Sequence, residues 1–126
     1  MTDRNPDQRV LVVDDDETNL TVLSMMLEDL GVDHVCLDNG AAAIEEAEQA
    51  RPRLILMDVS MPGVSGIDAT KEIRRRCPEA SIKIVAVTAH DTGRVKSACE
   101  EAGFDDFVPK PVAFGAIERI LSDHFA

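Results

Sequence analysis

Apolar residues along this chain fall into short runs, and between the runs they recur at helical spacing. Val10-Leu11-Val12-Val13 is a β-branched run that ends at Asp14. Leu20, Leu23, Leu27 and Leu30 then form the stripe of an amphipathic helix, which Gly31 stops. His34 to Leu37 is a weaker strand. Gly40 to Arg51 is Ala-rich, with Ile44, Ala47 and Ala50 on one stripe, and Pro52 closes it. Leu54 to Met57 is a second strong strand, ending at Asp58. Ser65 to Arg76 reads as a helix that stops near Pro78. Ile82 to Val87 is a third strong strand, ending at Thr88. Thr92 to Ala102 is a helix with Val95, Ala98, Cys99 and Ala102 inward, ended by Gly103. Phe107-Val108 is a short strand before Lys110-Pro111. Ala113 to His124 closes the series, with Ile117, Ile120 and Leu121 inward.

Five β-α units at this spacing imply an α/β fold: a doubly wound, five-stranded parallel sheet with helices on both faces. Strands buried on both faces read as continuous apolar runs. The first, third and fourth do, so they belong in the centre. The second is short and opens on Asp33-His34. The fifth carries Pro109, which an edge tolerates and a centre does not. The order 2-1-3-4-5 satisfies both conditions; the order 1-2-3-4-5 would leave the apolar first strand on an edge. Met1 to Gln8 holds no core residue and reads as a flexible tail, with one domain over residues 9–126.

Composition narrows the function. The chain has 126 residues and a net charge of −11, which repels nucleic acid and anionic lipid but attracts divalent cations. No apolar stretch approaches a membrane span, and Met1 to Arg9 lacks a signal's apolar region, so a cytoplasmic location is expected. Three widely spaced cysteines, Cys36, Cys77 and Cys99, fit reduced thiols better than disulfides or a metal knuckle. Trp and Tyr are absent, which removes stacking platforms for bases or flavins.

Chemistry concentrates at the carboxyl ends of the strands, where open parallel sheets bind ligands at the switch point in strand order. Asp14 and Asp15, Asp58, Thr88 and Lys110 end four separate strands on that edge. Crowded carboxylates repel, which raises apparent pKa values unless a cation intervenes. A hard ion with oxygen ligands suits them, and Mg²⁺ is the expected one; no set of His or Cys ligands offers a zinc site. A carboxylate beside Mg²⁺ can attack phosphorus and give an aspartyl phosphate. The charge that spreads over the phosphoryl oxygens would be met by the metal, the Lys110 ammonium and the Thr88 hydroxyl.

Four segments carry a resemblance: Val12-Val13-Asp14-Asp15-Asp16, Leu56 to Gly66, Val87-Thr88-Ala89, and Phe107-Val108-Pro109-Lys110-Pro111. In that order, at those strand ends, they resemble the receiver domain of two-component response regulators over essentially Arg9 to Phe125. The resemblance implies a flavodoxin-like fold and Asp58 as phospho-acceptor. It implies Mg²⁺ held by Asp14, Asp15, Asp58 and the Ser60 backbone carbonyl. It makes Thr88 a switch hydroxyl, Lys110 the phosphoryl-pairing cation, Phe107 an aromatic that turns inward, and the Lys110-Pro111 bond cis. No core position is missing, so an active receiver is expected. Asn19, Asp68-Ala69-Thr70 and the stretch from Cys99 to Phe107 look like receivers of hybrid kinases and phosphorelays. The implied partners are a histidine kinase or histidine phosphotransfer protein and a downstream protein target. The implied function is a switch that acts on itself, and not an enzyme with turnover.

Plainer readings exist for each residue alone. Asp14 to Asp16 could be a capping turn, Thr88 a buried strand residue, Lys110 a solvated lysine and Phe107 core. Met25, Met26, Met57 and Met61 read as packing. Arg74-Arg75-Arg76 reads as a solvated helix end, favourable near a helix C-terminus. His34, His90 and His124 lack metal spacing, although His90 could line the site mouth. Two other functions compete. An aspartyl phosphatase of the haloacid-dehalogenase type needs a second acid where Ser60 stands. A flavodoxin-like cofactor binder needs a hydroxyl-rich loop where Asp14 to Glu17 stand.

Overall fold

Five parallel strands form one sheet in the order β2-β1-β3-β4-β5. In this computed structural model the chain is described at residues 9–78, 80–89 and 93–124. The elements run β1 (Val10–Val13), α1 (Glu17–Asp29), β2 (His34–Leu37), α2 (Gly40–Ala50), β3 (Leu54–Asp58), α3 (Gly66–Arg76), β4 (Lys83–Thr88), α4 (Gly93–Ala102), β5 (Asp106–Pro109) and α5 (Phe114–His124). Strand order and element sequence match the reading of the hydrophobic pattern. The expected tail, Met1 to Gln8, and the expected role of His90 lie outside the described residues, as does the start of the fourth helix at Thr92.

The central strands are apolar because both their faces are covered. Every residue of β1 and β3 is buried, while β2 and Pro109 of β5 are partly open, as edges are. Alternation divides the strand side chains between two cores. Leu11, Val13, Ile55, Met57, Ile84 and Ala86 pack with Ile44 of α2, Ile73 of α3 and Cys99 of α4. Val10, Val12, Leu54, Leu56, Val85 and Val87 pack with Leu23 and Leu27 of α1 and Ile117 and Ile120 of α5. A fully buried Leu or Ile contributes about 1.5–3 kcal/mol through removal of its surface from water. Local signals set the helix ends. Asp16, Asn39 and Ser65 accept backbone N–H groups at the starts of α1, α2 and α3. Gly31 and Gly103, both at positive φ, follow the ends of α1 and α4.

Two readings of side chains are corrected. Met25 is 63% exposed on α1 and does not pack, because the buried stripe of that helix is narrow, with only Leu23 and Leu27 fully covered. Arg74 is not part of a solvated helix end. Its guanidinium donates to the carbonyls of Gly103 and Ile82 and to Asp105 Oδ2. The three successive arginines point different ways around α3: Arg75 and Arg76 pair with Glu72 of their own helix, whereas Arg74 turns toward the sheet.

Candidate functional site

Strand register brings the polar ends together. Val13 pairs with Met57, so Asp14 adjoins Asp58 just past the last pair. Asp58 pairs with Val87, which sets Thr88 one step beyond it, and Thr88 pairs with Pro109, which sets Lys110 one step beyond that. The residues form a staircase across three central strands and one edge at the carboxyl side of the sheet.

Burial then sharpens the electrostatics. Asp14, Asp58 and Thr88 are buried, at 1%, 5% and 1% exposed, and Asp15 faces solvent. Lys110 Nζ lies 2.9 Å from Asp14 Oδ2 and 3.2 Å from Asp58 Oδ1, so one ammonium is shared by two buried carboxylates. The other Asp14 oxygen, Oδ1, accepts the Asp16 N–H at 2.9 Å. The Ser60 N–H reaches Asp58 Oδ1 at 3.4 Å. One cation does not neutralise two anions. Burial first, and then the Asp14 charge, push the Asp58 carboxyl from its ordinary 3.8 up to about 6, against the opposing pull of Lys110 and Ser60. For Lys110, burial works to lower the pKa, yet the two carboxylates prevail and hold the ammonium above its usual range.

Asp14, Asp15 and Asp58 can each offer one carboxylate oxygen, all within 4.8 Å of one another. Three hard oxygen donors, one of them on the solvent side, fit a magnesium ion that keeps water ligands and leaves room for phosphate oxygens. A second acidic group, Asp106 with Asp123 and His124, has the same spacing, but Arg119 already lies 3.1 Å from Asp106 and 3.2 Å from Asp123, which supplies the positive charge there.

The loop that carries Asp58 into α3 is held from behind by Gly66. Its N–H donates to the Val59 carbonyl at 2.9 Å, and a β-carbon at this position would lie 2.0 Å from the Asp58 carbonyl oxygen. Sequence reasoning did not single out Gly66; a glycine opening a helix, where alanine is the better helix former, was the available signal. The remaining expected residue, Phe107, is half-buried at the α4 side of β5, with Lys96 Nζ 6.0 Å from its ring centre. The Lys110-Pro111 peptide bond is cis.

The model of the response regulator receiver domain matches residues 10–122. The chain belongs to that family. Among relatives of this receiver domain, Sensor protein GacS of Pseudomonas syringae pv. syringae is 41% identical over 116 residues, which are 90% of this chain and 13% of that protein. Protein PilH of Pseudomonas aeruginosa is 34% identical over 82% of this chain and 86% of its own length. Solved structures agree. The receiver domain of sensor histidine kinase PA1611 from Pseudomonas aeruginosa PAO1, with a magnesium ion coordinated in its active-site cleft, superposes with a TM-score of 0.86 at 34% identity, covering 94% of this chain and 97% of that one. The receiver domain of Ssk1, co-crystallised with the phosphotransfer protein Ypd1 of Saccharomyces cerevisiae, belongs to a structure that matches at TM-score 0.89 and 27% identity, over 97% and 91% of the two chains. The receiver domain thus spans only a small part of the sensor proteins it matches. Among the described residues no helix is long and apolar enough to cross a membrane.

Proposed function

We propose that this receiver domain is a phosphorylation-driven switch with Asp58 as its acceptor. The observation that carries the reading is a buried carboxylate, Asp58, held between a second buried carboxylate and a shared lysine ammonium at the carboxyl edge of the sheet. An Asp58 oxygen attacks the phosphorus of a partner's phosphohistidine. The phosphorus–nitrogen bond breaks, and the imidazole nitrogen keeps the electron pair. Asp14, Asp15, Asp58 and the Ser60 carbonyl would hold Mg²⁺, which when bound supplies positive charge to the phosphoryl oxygens. Lys110, already poised on Asp58, pairs with a phosphoryl oxygen once the carboxylate has become an acyl phosphate. The Thr88 hydroxyl serves a third oxygen. By alternation Thr88 and Phe107 belong to the sheet face that α4 covers, so a pull on Thr88 reaches α4 and β5, and the surface around α4, β5 and α5 is where a downstream protein is contacted. The domain catalyses chemistry on itself alone.

A phosphotransfer protein or histidine kinase is the proposed donor. The mouth of the cleft is flanked by Asn19, Val22, Pro111 and Val112, and Val22 is exposed there. An apolar rim around a charged cleft suits a helical partner that presents a phosphohistidine. The net charge of −11 argues for protein contact and against nucleic acid; a cytoplasmic location is proposed with the kinase or phosphotransfer partner.

Acetyl phosphate with Mg²⁺ tests the reading. A stoichiometric mass gain of one phosphoryl group, lost in Asp58→Asn, is expected. Multiple turnover of the phosphodonor, or undiminished labelling of the variant, would overturn it.

A further inference from the structure

The C-terminal end of α4 is fastened. That half of the helix holds both its buried residues, Cys99 and Ala102, whereas Arg94, Lys96 and Ser97 are exposed and Val95 and Ala98 only half-buried. Just past the helix, Gly103 takes a φ of +107°, and the Gly103 and Phe104 N–H groups return to the Glu100 and Cys99 carbonyls. That turn is then gripped from a different helix. Arg74 of α3 donates to the Gly103 carbonyl through Nε at 3.0 Å and Nη2 at 2.8 Å. Its Nη1 donates to the Ile82 carbonyl at 2.6 Å, and Nη2 also meets Asp105 Oδ2 at 2.7 Å. Asp105 Oδ2 in turn accepts the Ile84 N–H at 2.9 Å, and the Asp105 N–H donates to the Ile84 carbonyl at 2.7 Å. One guanidinium therefore binds the end of α3, the entry to β4 and the α4–β5 turn into a single joint. Its fork geometry serves two carbonyls and a carboxylate at once, which a lysine point charge does not reproduce.

The other half of α4 lies over a groove. Val95 and Ala98 face Val59, Met61 and Ile67 across it, next to the loop that follows Asp58. The gripped turn thus lies outside the lining of this groove, and the less buried first turns of α4 border it.

We infer that Arg74 is a positioning residue that fixes the C-terminal end of α4, so that the response of α4 to phosphorylation is a pivot about Gly103, confined to its first two turns. The inference rests on the switch reading for its trigger, but the joint itself is testable without one.

Two measurements on the whole chain separate these. Amide hydrogen exchange without any phosphodonor should show Gly103, Phe104 and Asp105 better protected than Lys96 and Ser97. Arg74→Gln should speed exchange at those three amides on the order of tenfold while Asp58 and its neighbours are unchanged. Arg74→Lys should restore only part of the protection, and Asp105→Asn, which keeps the carbonyl bonds, should lose less than Arg74→Gln. Equal exchange in Arg74→Gln and the parent overturns the joint. Amide spectra with Mg²⁺ and beryllofluoride form the second measurement. In the parent, shifts should be large at Val95 to Ala98 and small at Glu100 to Asp105. In Arg74→Gln they should spread through Asp105 at the same beryllofluoride affinity. Shifts that are uniform along α4 in the parent, or a gradient that survives in Arg74→Gln, overturn the pivot. Absence of any shift around Asp58 in the parent refutes the switch reading, and the exchange data still decide the joint.

Discussion

Gly66 and Asp58 touch backbone to backbone: a β-carbon on Gly66 would lie 2.0 Å from the Asp58 carbonyl oxygen and 2.9 Å from its carbonyl carbon. Neither side of that contact is a flexible side chain, so any substitution at Gly66 must move the strand end that carries Asp58. Gly66→Ala should lower stability by about 2–3 kcal/mol and slow labelling of Asp58. Gly115, a helical glycine with open space around its β-position, supplies the comparison. Gly115→Ala should raise stability by roughly 0.5–1 kcal/mol. Urea unfolding of both variants checks the pair; equal effects would remove Gly66 from the description of the site.

Asp58→Asn should abolish phosphoryl incorporation from acetyl phosphate and leave the fold intact. It should also stabilise the metal-free protein at neutral pH, because one of two buried charges competing for Lys110 is gone. With allowance for solvent near the cleft mouth, the gain is on the order of 1 kcal/mol. Mass spectrometry and denaturant unfolding read the two effects separately.

The same carboxylate fixes a pH dependence. Its pKa is raised in the folded protein, to about 6 from 3.8, so folding favours the protonated form. The Asp58 contribution to stability is therefore complete below about pH 4 and declines as pH rises through about 6. Thermal unfolding across pH 4 to 7 should show that decline in the parent and its absence in Asp58→Asn. Mg²⁺ binding should run the opposite way, strengthening as pH rises through about 6, since the ion needs the ionised carboxylate.

Asp15 is the exposed member of the acidic group. Asp15→Asn should weaken Mg²⁺ binding about tenfold or more and leave stability within about 0.5 kcal/mol of the parent. Calorimetric titration is the suitable readout, because the chain has no Trp or Tyr to report binding. Unchanged affinity would place the metal elsewhere.

Thr88→Ala should still be labelled at Asp58, yet the amide shifts of α4 on addition of beryllofluoride should shrink to a fraction of those in the parent. A full α4 response in this variant would show that the hydroxyl does not carry the signal.

Much of this molecule was legible in its sequence, for identifiable reasons. Strand order followed from burial: β1, β3 and β4 are apolar without interruption because helices cover both faces, while Pro109 marks an edge. The candidate site was legible as a gathering of residues because parallel strands deliver their last residues to one edge, so Asp14, Asp58, Thr88 and Lys110 needed only their place at strand ends. What was hidden depended on rotation and on backbone proximity. Nothing in Arg74-Arg75-Arg76 tells which arginine turns inward; that is set by where α3 meets Gly103 and Ile82. The contact of Gly66 with Asp58 is made by main chain, which carries no residue-type signature beyond the glycine itself. Asp14 to Asp16 admitted two readings, cap or metal cluster, and the structure divides them: Asp16 caps α1, and Asp14 turns toward Lys110.

The sheet also partitions the molecule thermodynamically. Its two cores share strands but no side chains, because alternate residues of β1, β3 and β4 belong to opposite faces. Residues on opposite sides of the sheet share no side-chain partners, the condition under which substitutions usually add. Truncating Leu27 under α1 and Ile73 under α3 should then produce additive losses. The face toward α1 and the face toward α4 are thus free to drift independently: a lineage can remodel the packing beneath one without disturbing the packing beneath the other.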